Sequence, residues 1–153
     1  MMFVLDTNVV SELRKVRSGK ADANVTAWAE SVDAADLFVS AITIMELELG
    51  VLSIERKDAT QGAMLRSWLE QHVLPEFSGR TLPIDTAVAQ RCARLHVPDK
   101  RGERDALIAA TALVHGMTTF EPGLHFAGVV LNQVGTARHE DLLRKVIEEY
   151  TDV

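Results

Sequence analysis

An α/β fold built on a central, mainly parallel sheet is what this sequence predicts, and three observations predict it. Apolar runs of strand length alternate with stretches of helical periodicity from end to end. Strands in that order are joined by right-handed crossovers and lie parallel, with helices over both faces. The chain has 153 residues, enough for one domain with its own core, and it holds no internal repeat, low-complexity tract or dividing linker.

The elements follow in order. Met2 to Leu5 reads as a strand, and Asn8 to about Lys15 as a helix with Val9, Leu13 and Val16 at helical spacing. "RKVRSGKADAN" is polar with a glycine and reads as a loop, after which Val25 to Val32 resumes a helical pattern. Leu37 to Ser40 is a second strand, followed by a helix from about Thr43 through Leu52. Asp58 to Val73 is a longer amphipathic helix with Met64, Leu65, Trp68, Leu69 and Val73 on one side, and Pro75 is expected to end it. Thr81 to Ile84 makes a third strand and Thr86 to His96 a helix. Glu103 to His115 is an apolar helix closed by Gly116. Met117 to Phe120 and Val129 to Leu131 are the last strand candidates, and His139 to Tyr150 is a terminal helix. The domain is expected to span 1–153, with 133–153 a C-terminal helical extension for packing or oligomerisation.

Composition narrows the class of function. An apolar fraction of 47% and a charged fraction of 25% belong to a globular protein, neither disordered nor membrane-spanning. No window holds the roughly 18 uninterrupted apolar residues of a transmembrane helix, and no basic segment precedes an apolar run at the N-terminus. A cytoplasmic protein without a membrane partner is expected. Cys92 is the single cysteine, so no internal disulfide forms, and within a helical pattern a buried, inert thiol is the natural reading. The net charge of −6 argues against a broad basic face for duplex DNA. It does not exclude nucleic acid, because clustered carboxylates can hold a divalent cation that meets phosphate directly.

The informative residues are acids at strand ends and helix starts. Asp6 follows "FVL" and would stand at the carboxyl edge of a central strand, where open α/β sheets bind ligands. Helix capping explains it about as well. Glu46 fits a capping box, Thr43-x-x-Glu46; Asp105 heads "RDALIAATALVHG", where the helix dipole favours an acid; Asp85 follows "TLPI" and reads first as a cap. Recurrence raises these acids above capping, since converging carboxylates repel and a hard divalent cation keeps them ionised. Magnesium suits such a set, and the chemistry suggested is phosphodiester hydrolysis. Five histidines without paired spacing and one cysteine give zinc no support.

Four stretches carry a family resemblance: "FVLDTNVVSEL" at 3 to 13, "VSAITIMELELGV" at 39 to 51, "LPIDTAVAQRCARL" at 82 to 95 and "RDALIAATALVHGMT" at 104 to 118. In this order they resemble the PIN-domain ribonucleases, and within them the VapC and FitB type of toxin from bacterial toxin–antitoxin pairs. The resemblance implies a PIN-like α/β/α sandwich, magnesium or manganese as cofactor, RNA as substrate, a VapB-like antitoxin whose C-terminal segment covers the cleft, and a homodimer. It puts the metal-binding acids on Asp6, Glu46 and Asp105, a further acid beside the site on Glu12, and a supporting hydroxyl on Thr7; Asn8 belongs to the same signature. Arg101 and Arg104, just ahead of Asp105, are the cations best placed to steer phosphate. Arg14, Lys15, Arg17 and Lys20 lie beyond the first helix, and Lys15 and Lys20 read as solvated surface.

The resemblance breaks after "HGMT". The family runs on to an aspartate followed by phenylalanine, whereas "TFEPGLHFAGVVLN" places His125 before Phe126. An imidazole removes a hard anionic oxygen and weakens a cation site. Three outcomes stay open: Asp6, Glu46 and Asp105 suffice for one ion; Glu121 substitutes, although Pro122 and Gly123 make it a turn residue first; or hydrolysis is lost and only partner binding kept. A phosphatase or phosphoacceptor domain also starts with a strand ending in aspartate, but its second aspartate and later lysine are not evident.

Overall fold

The computed structural model describes residues 2–98, 100, 102–117, 119–121, 124–126 and 129–130, the last three segments by their backbone course. The expected extension at 133–153 lies outside the described residues, as does Arg101.

Four strands, β1 (Phe3–Leu5), β2 (Leu37–Ser40), β3 (Thr81–Leu82) and β6 (Val129–Val130), form one sheet in the order β3-β2-β1-β6. All its pairings are parallel: Val4 sits opposite Phe38 on one side and Val129 on the other, and Ser40 opposite Leu82. The α/β fold is therefore as expected. β4 (Thr119–Glu121) and β5 (Leu124–Phe126) form a separate antiparallel pair, with Phe120 opposite His125. β5 was not anticipated by the sequence reading, which stopped the nearby strand at Phe120.

Alternation along β1 divides the interior into two layers. Phe3 and Leu5 pack with Val9, Val10, Trp28, Leu47, Val51, Leu69 and Phe77, and the Phe3 and Trp28 rings meet edge to face at 5.3 Å. Val4 points the other way, into Val88, Leu95, Ile108 and Ala109. Val4 and Leu5 are completely buried, each contributing about 1.5–3 kcal/mol of apolar burial. Helices thus cover both faces, which makes the α/β/α sandwich.

On the first face lie α1 (Thr7–Leu13), α2 (Ala23–Ser31) and α3 (Ala41–Lys57). α3 starts earlier than the sequence suggests because Ser40, not Thr43, is its cap: the Ser40 hydroxyl accepts from the Ile42 amide at 3.1 Å. The expected Thr43-x-x-Glu46 capping box is therefore corrected; both residues lie inside the helix. α3 also runs one turn past Leu52, with Arg56 and Lys57 in its last turn where the dipole favours cations. Asp58 closes it and caps α4 (Ala59–Trp68), accepting from the Thr60 and Gln61 amides at 3.1 Å. Arg66 ties the two helices together, 2.5 Å from Glu48 and 2.6 Å from Glu55.

The long helix differs from expectation at its end. Winding continues through a wide π turn at Leu69–Val73, where the Leu74 amide reaches back five residues to the Leu69 carbonyl, and then through α5 (Leu74–Glu76). Pro75 falls in the first turn of α5, where a missing N–H costs nothing, so it does not end the helix. Met64 is 70% exposed and does not belong to the buried side; Leu69 and Val73 do.

On the opposite face lie α6 (Thr86–Leu95) and α7 (Glu103–Val114). Asp85 caps α6 as read, accepting from the Val88 amide at 3.0 Å. The small residues Ala106, Ala109, Ala110 and Ala112 let α7 press flat into the core, and Gly116 follows it with φ 61°, a left-handed conformation that suits glycine. No helix among the described residues is long and apolar enough to cross a membrane.

Candidate active site

The strand order determines where to look. From β1 the chain adds β2 and then β3 on one side, and returns to place β6 on the other, so the order reverses at β1. Crevices at such a reversal, off the carboxyl ends of the strands, are where open α/β sheets bind ligands. Asp6 is the first residue beyond β1.

Asp6 is 6% exposed and caps α1. Its Oδ1 accepts from the Thr7 amide at 2.8 Å, while its carbonyl accepts from the Val9 and Val10 amides at 3.1 and 3.2 Å. Thr7 turns the same point toward a second carboxylate, its Oγ1 donating to Glu46 Oε1 at 2.8 Å. Backbone amide and side-chain hydroxyl of one residue thus hold Asp6 and Glu46, which are far apart in sequence. Thr43, one turn before Glu46 on α3 and fully buried, stands 3.3 Å from the Thr7 hydroxyl. A carboxylate only accepts and Thr7 has a single hydroxyl proton, so Thr43 is the donor in that contact. Thr43 backs Thr7 in a way that local pattern does not reveal, because its three-residue spacing to Glu46 has the form of a capping box.

Asp105 lies in the first turn of α7, partly buried. Its neighbour Arg104 is 54% exposed, with Nη1 3.8 Å from Glu46 Oε2. Asn8 is exposed at the start of α1. Glu12 is turned elsewhere: Oε1 accepts from the Asp22 amide at 2.8 Å and Oε2 from Lys15 Nζ at 3.1 Å, and these two donors hold its carboxyl below the usual range. Lys15, read as plain surface, is therefore a partner of Glu12. The side chains of Glu121 and His125 lie outside the described residues.

The donors gathered around Thr7 are all oxygens, carboxylate and hydroxyl, a set that suits a hard cation such as magnesium better than zinc. Among the described residues no group of three His, Cys, Asp or Glu side chains is placed to hold a metal ion, so the expected set of Asp6, Glu46 and Asp105 is not brought together as three ligands. The fit is to a sparse site, in which one or two carboxylates serve and water and phosphate fill the remaining positions.

The family model of the PIN domain matches residues 3–127. The chain belongs to the PIN domain family. This PIN domain is 38% identical to Toxin FitB of Neisseria gonorrhoeae over 84% of its own length and 94% of that protein's. It is also 38% identical to VapC ribonuclease Y4jK of Sinorhizobium fredii, over 75% of its length and 82% of the relative's. Among solved structures, FitAB bound to an IR36 DNA fragment superposes with a TM-score of 0.72 at 32% identity, covering 92% of this chain and 90% of that one. The family and subgroup that the four sequence stretches suggested are those the comparisons return.

Proposed function

We propose that this PIN domain is a divalent-metal-dependent endoribonuclease, the toxin half of a VapBC-type toxin–antitoxin pair. Relatives bearing the names toxin and ribonuclease support the reading, and one observation on this chain carries it: Thr7 joins Asp6 and Glu46 at the carboxyl edge of β1. Two acids held by the amide and the hydroxyl of one residue at a sheet's switch point are more than helix caps. Asp6, Glu46 and Asp105 would hold magnesium or manganese, which when bound would activate a water and neutralise charge on the departing oxygen.

The chain's own residues supply the rest. Thr7 fixes Glu46 through one oxygen and leaves the other facing Arg104. Arg104, and Arg101 in the same short segment, would draw an RNA phosphate toward Asp105. Glu12 would have to release Lys15 to orient a water or take a second ion; held as it is, it serves by fixing the loop at Asp22 to α1. A VapB-like antitoxin and a second copy of the chain are the proposed protein partners, in the cytoplasm where RNA is available. The antitoxin is supported by the relative named Toxin FitB and by solved neighbours that are FitAcB and FitAB complexes.

Cleavage of RNA should require added magnesium and be lost in Asp6→Asn and Asp105→Asn, with far-ultraviolet circular dichroism unchanged. Asparagine variants that still cut would refute the assigned roles. A second reading, a PIN module that binds its antitoxin without cutting, is favoured by His125 at the family's fourth acidic position and by the incomplete ligand group among the described residues. It predicts tight antitoxin binding with no magnesium-induced rise in melting temperature.

A further inference from the structure

The pair Arg104–Glu46 bears on how the site is switched. Glu46 has two oxygens with different fates: Oε1 is held by the Thr7 hydroxyl at 2.8 Å, and Oε2 faces the Arg104 guanidinium at 3.8 Å. The first is a normal hydrogen bond; the second is longer than one and is purely an ion pair. Arg104 is 54% exposed and Glu46 23%, so water competes for both groups and the pair is weak. The carboxylate is thus fixed by a neutral donor, while its charge is balanced by a cation that leaves easily. Arg104 also precedes Asp105 on the first turn of α7, so one guanidinium is next in sequence to one of these acids and 3.8 Å from another.

From this geometry we infer that Arg104 is a counter-ion of Glu46 that competes with a divalent cation for this carboxylate. A divalent cation arriving at Glu46 removes the attraction that holds the guanidinium and replaces it with repulsion. Thr7 keeps Glu46 in place during the exchange. The displaced guanidinium then projects into the cleft mouth, where the next anion it meets is a phosphate of the substrate. Metal binding and phosphate capture are coupled through one side chain: Arg104 is a positioning residue, guarding the site when metal is absent and presenting a cation when it is present. The inference rests on the proposed metal-dependent nuclease and adds to it how the site avoids holding unbalanced charge.

The test needs no RNA and no turnover. Binding of manganese to the intact protein is followed by the electron paramagnetic resonance signal of free Mn2+. Arg104→Gln should bind manganese about two- to fivefold more tightly than wild type, the size expected for removing one screened charge at cleft distance. Arg104→Lys should restore wild-type affinity. Lys57→Gln, which removes the same charge from the far end of α3, should leave it unchanged. In parallel, the Arg104 Nε–Hε resonance should move when magnesium is added to 15N-labelled protein. Equal affinity in wild type and Arg104→Gln, an equal gain in Lys57→Gln, or an unmoved Arg104 resonance while magnesium binds would each overturn the inference and leave the nuclease reading standing. Failure of every variant and of wild type to bind manganese would overturn both.

Discussion

Two glycines on adjacent helices test the packing of α3 and α4 with opposite signs. A methyl group added at Gly62 would meet the Glu55 Cα at 2.6 Å, its Cγ at 2.7 Å and its backbone nitrogen at 2.9 Å, whereas one added at Gly50 would meet nothing within 4 Å. Both sites are inside helices, so alanine gains about 0.8–1 kcal/mol of helix propensity at either. At Gly50 nothing opposes that gain. At Gly62 the obstacle is backbone, which cannot swing aside, and α3 must back away from α4 at a cost of about 1–3 kcal/mol or more. The shift would also disturb Arg66 between Glu48 and Glu55. Gly50→Ala is therefore expected to stabilise by about 1 kcal/mol and Gly62→Ala to destabilise by about 1–2 kcal/mol. Urea unfolding followed by circular dichroism reads both as midpoint shifts at constant slope, and melting temperatures should separate by about 4–12 °C at this chain length. A Gly62→Ala midpoint at or above wild type would refute the close approach of the helices. A lowered Gly50→Ala midpoint would mean that something outside the protomer packs on that position.

Further outcomes concern the site and the first loop. Thr7→Val keeps the shape and the amide bond to Asp6 but removes the donor to Glu46 and the acceptor of the buried Thr43 hydroxyl, and because Glu46 can turn to water while Thr43 cannot, the loss should be about 1–3 kcal/mol. Calorimetric manganese titration of that variant should show weaker binding, and unchanged binding would mean that Thr7 does not hold Glu46 for the ion. For Glu12, the folded pKa is depressed from its ordinary 4.5 by the Asp22 amide and Lys15. Its contribution is then present above about pH 4.5 and lost as pH falls through the lower folded value. Wild type should exceed Glu12→Gln in stability at neutral pH, with the gap closing as pH falls below about 4.5; a gap that does not narrow in acid by urea titration would count against the electrostatic origin.

Much of the fold was legible because its signals are local. The β1-to-Asp6 boundary, the Asp85 cap and the Gly116 terminus each depend on a few consecutive residues, and all three are found where the pattern put them. Misreadings arose where a tertiary contact outweighs a local rule. Thr43-x-x-Glu46 has the letters of a capping box, but Ser40 takes the cap and frees both side chains to meet Thr7, a partner 36 and 39 positions away. Pro75 looked terminal because a proline usually stops a helix; a wide turn ahead of it, invisible in composition, resets the hydrogen-bond pattern. Glu12 shows the limit of carrying a role over by position, since its neighbours in space are Lys15 and the Asp22 amide. Sequence order could place acids at one sheet edge, but not that Thr7 holds one by its amide and the other by its hydroxyl.

The pairing of β1 with β6 joins Val4 to Val129, segments separated by nearly the whole matched domain. One flank of the first strand therefore stays unsatisfied while the ribosome makes everything between them, and the crevice beside Asp6 has only one wall until then. Contacts so distant along the chain form slowly and late. This topology delays completion of the sheet edge beside Asp6 until β6 has been made.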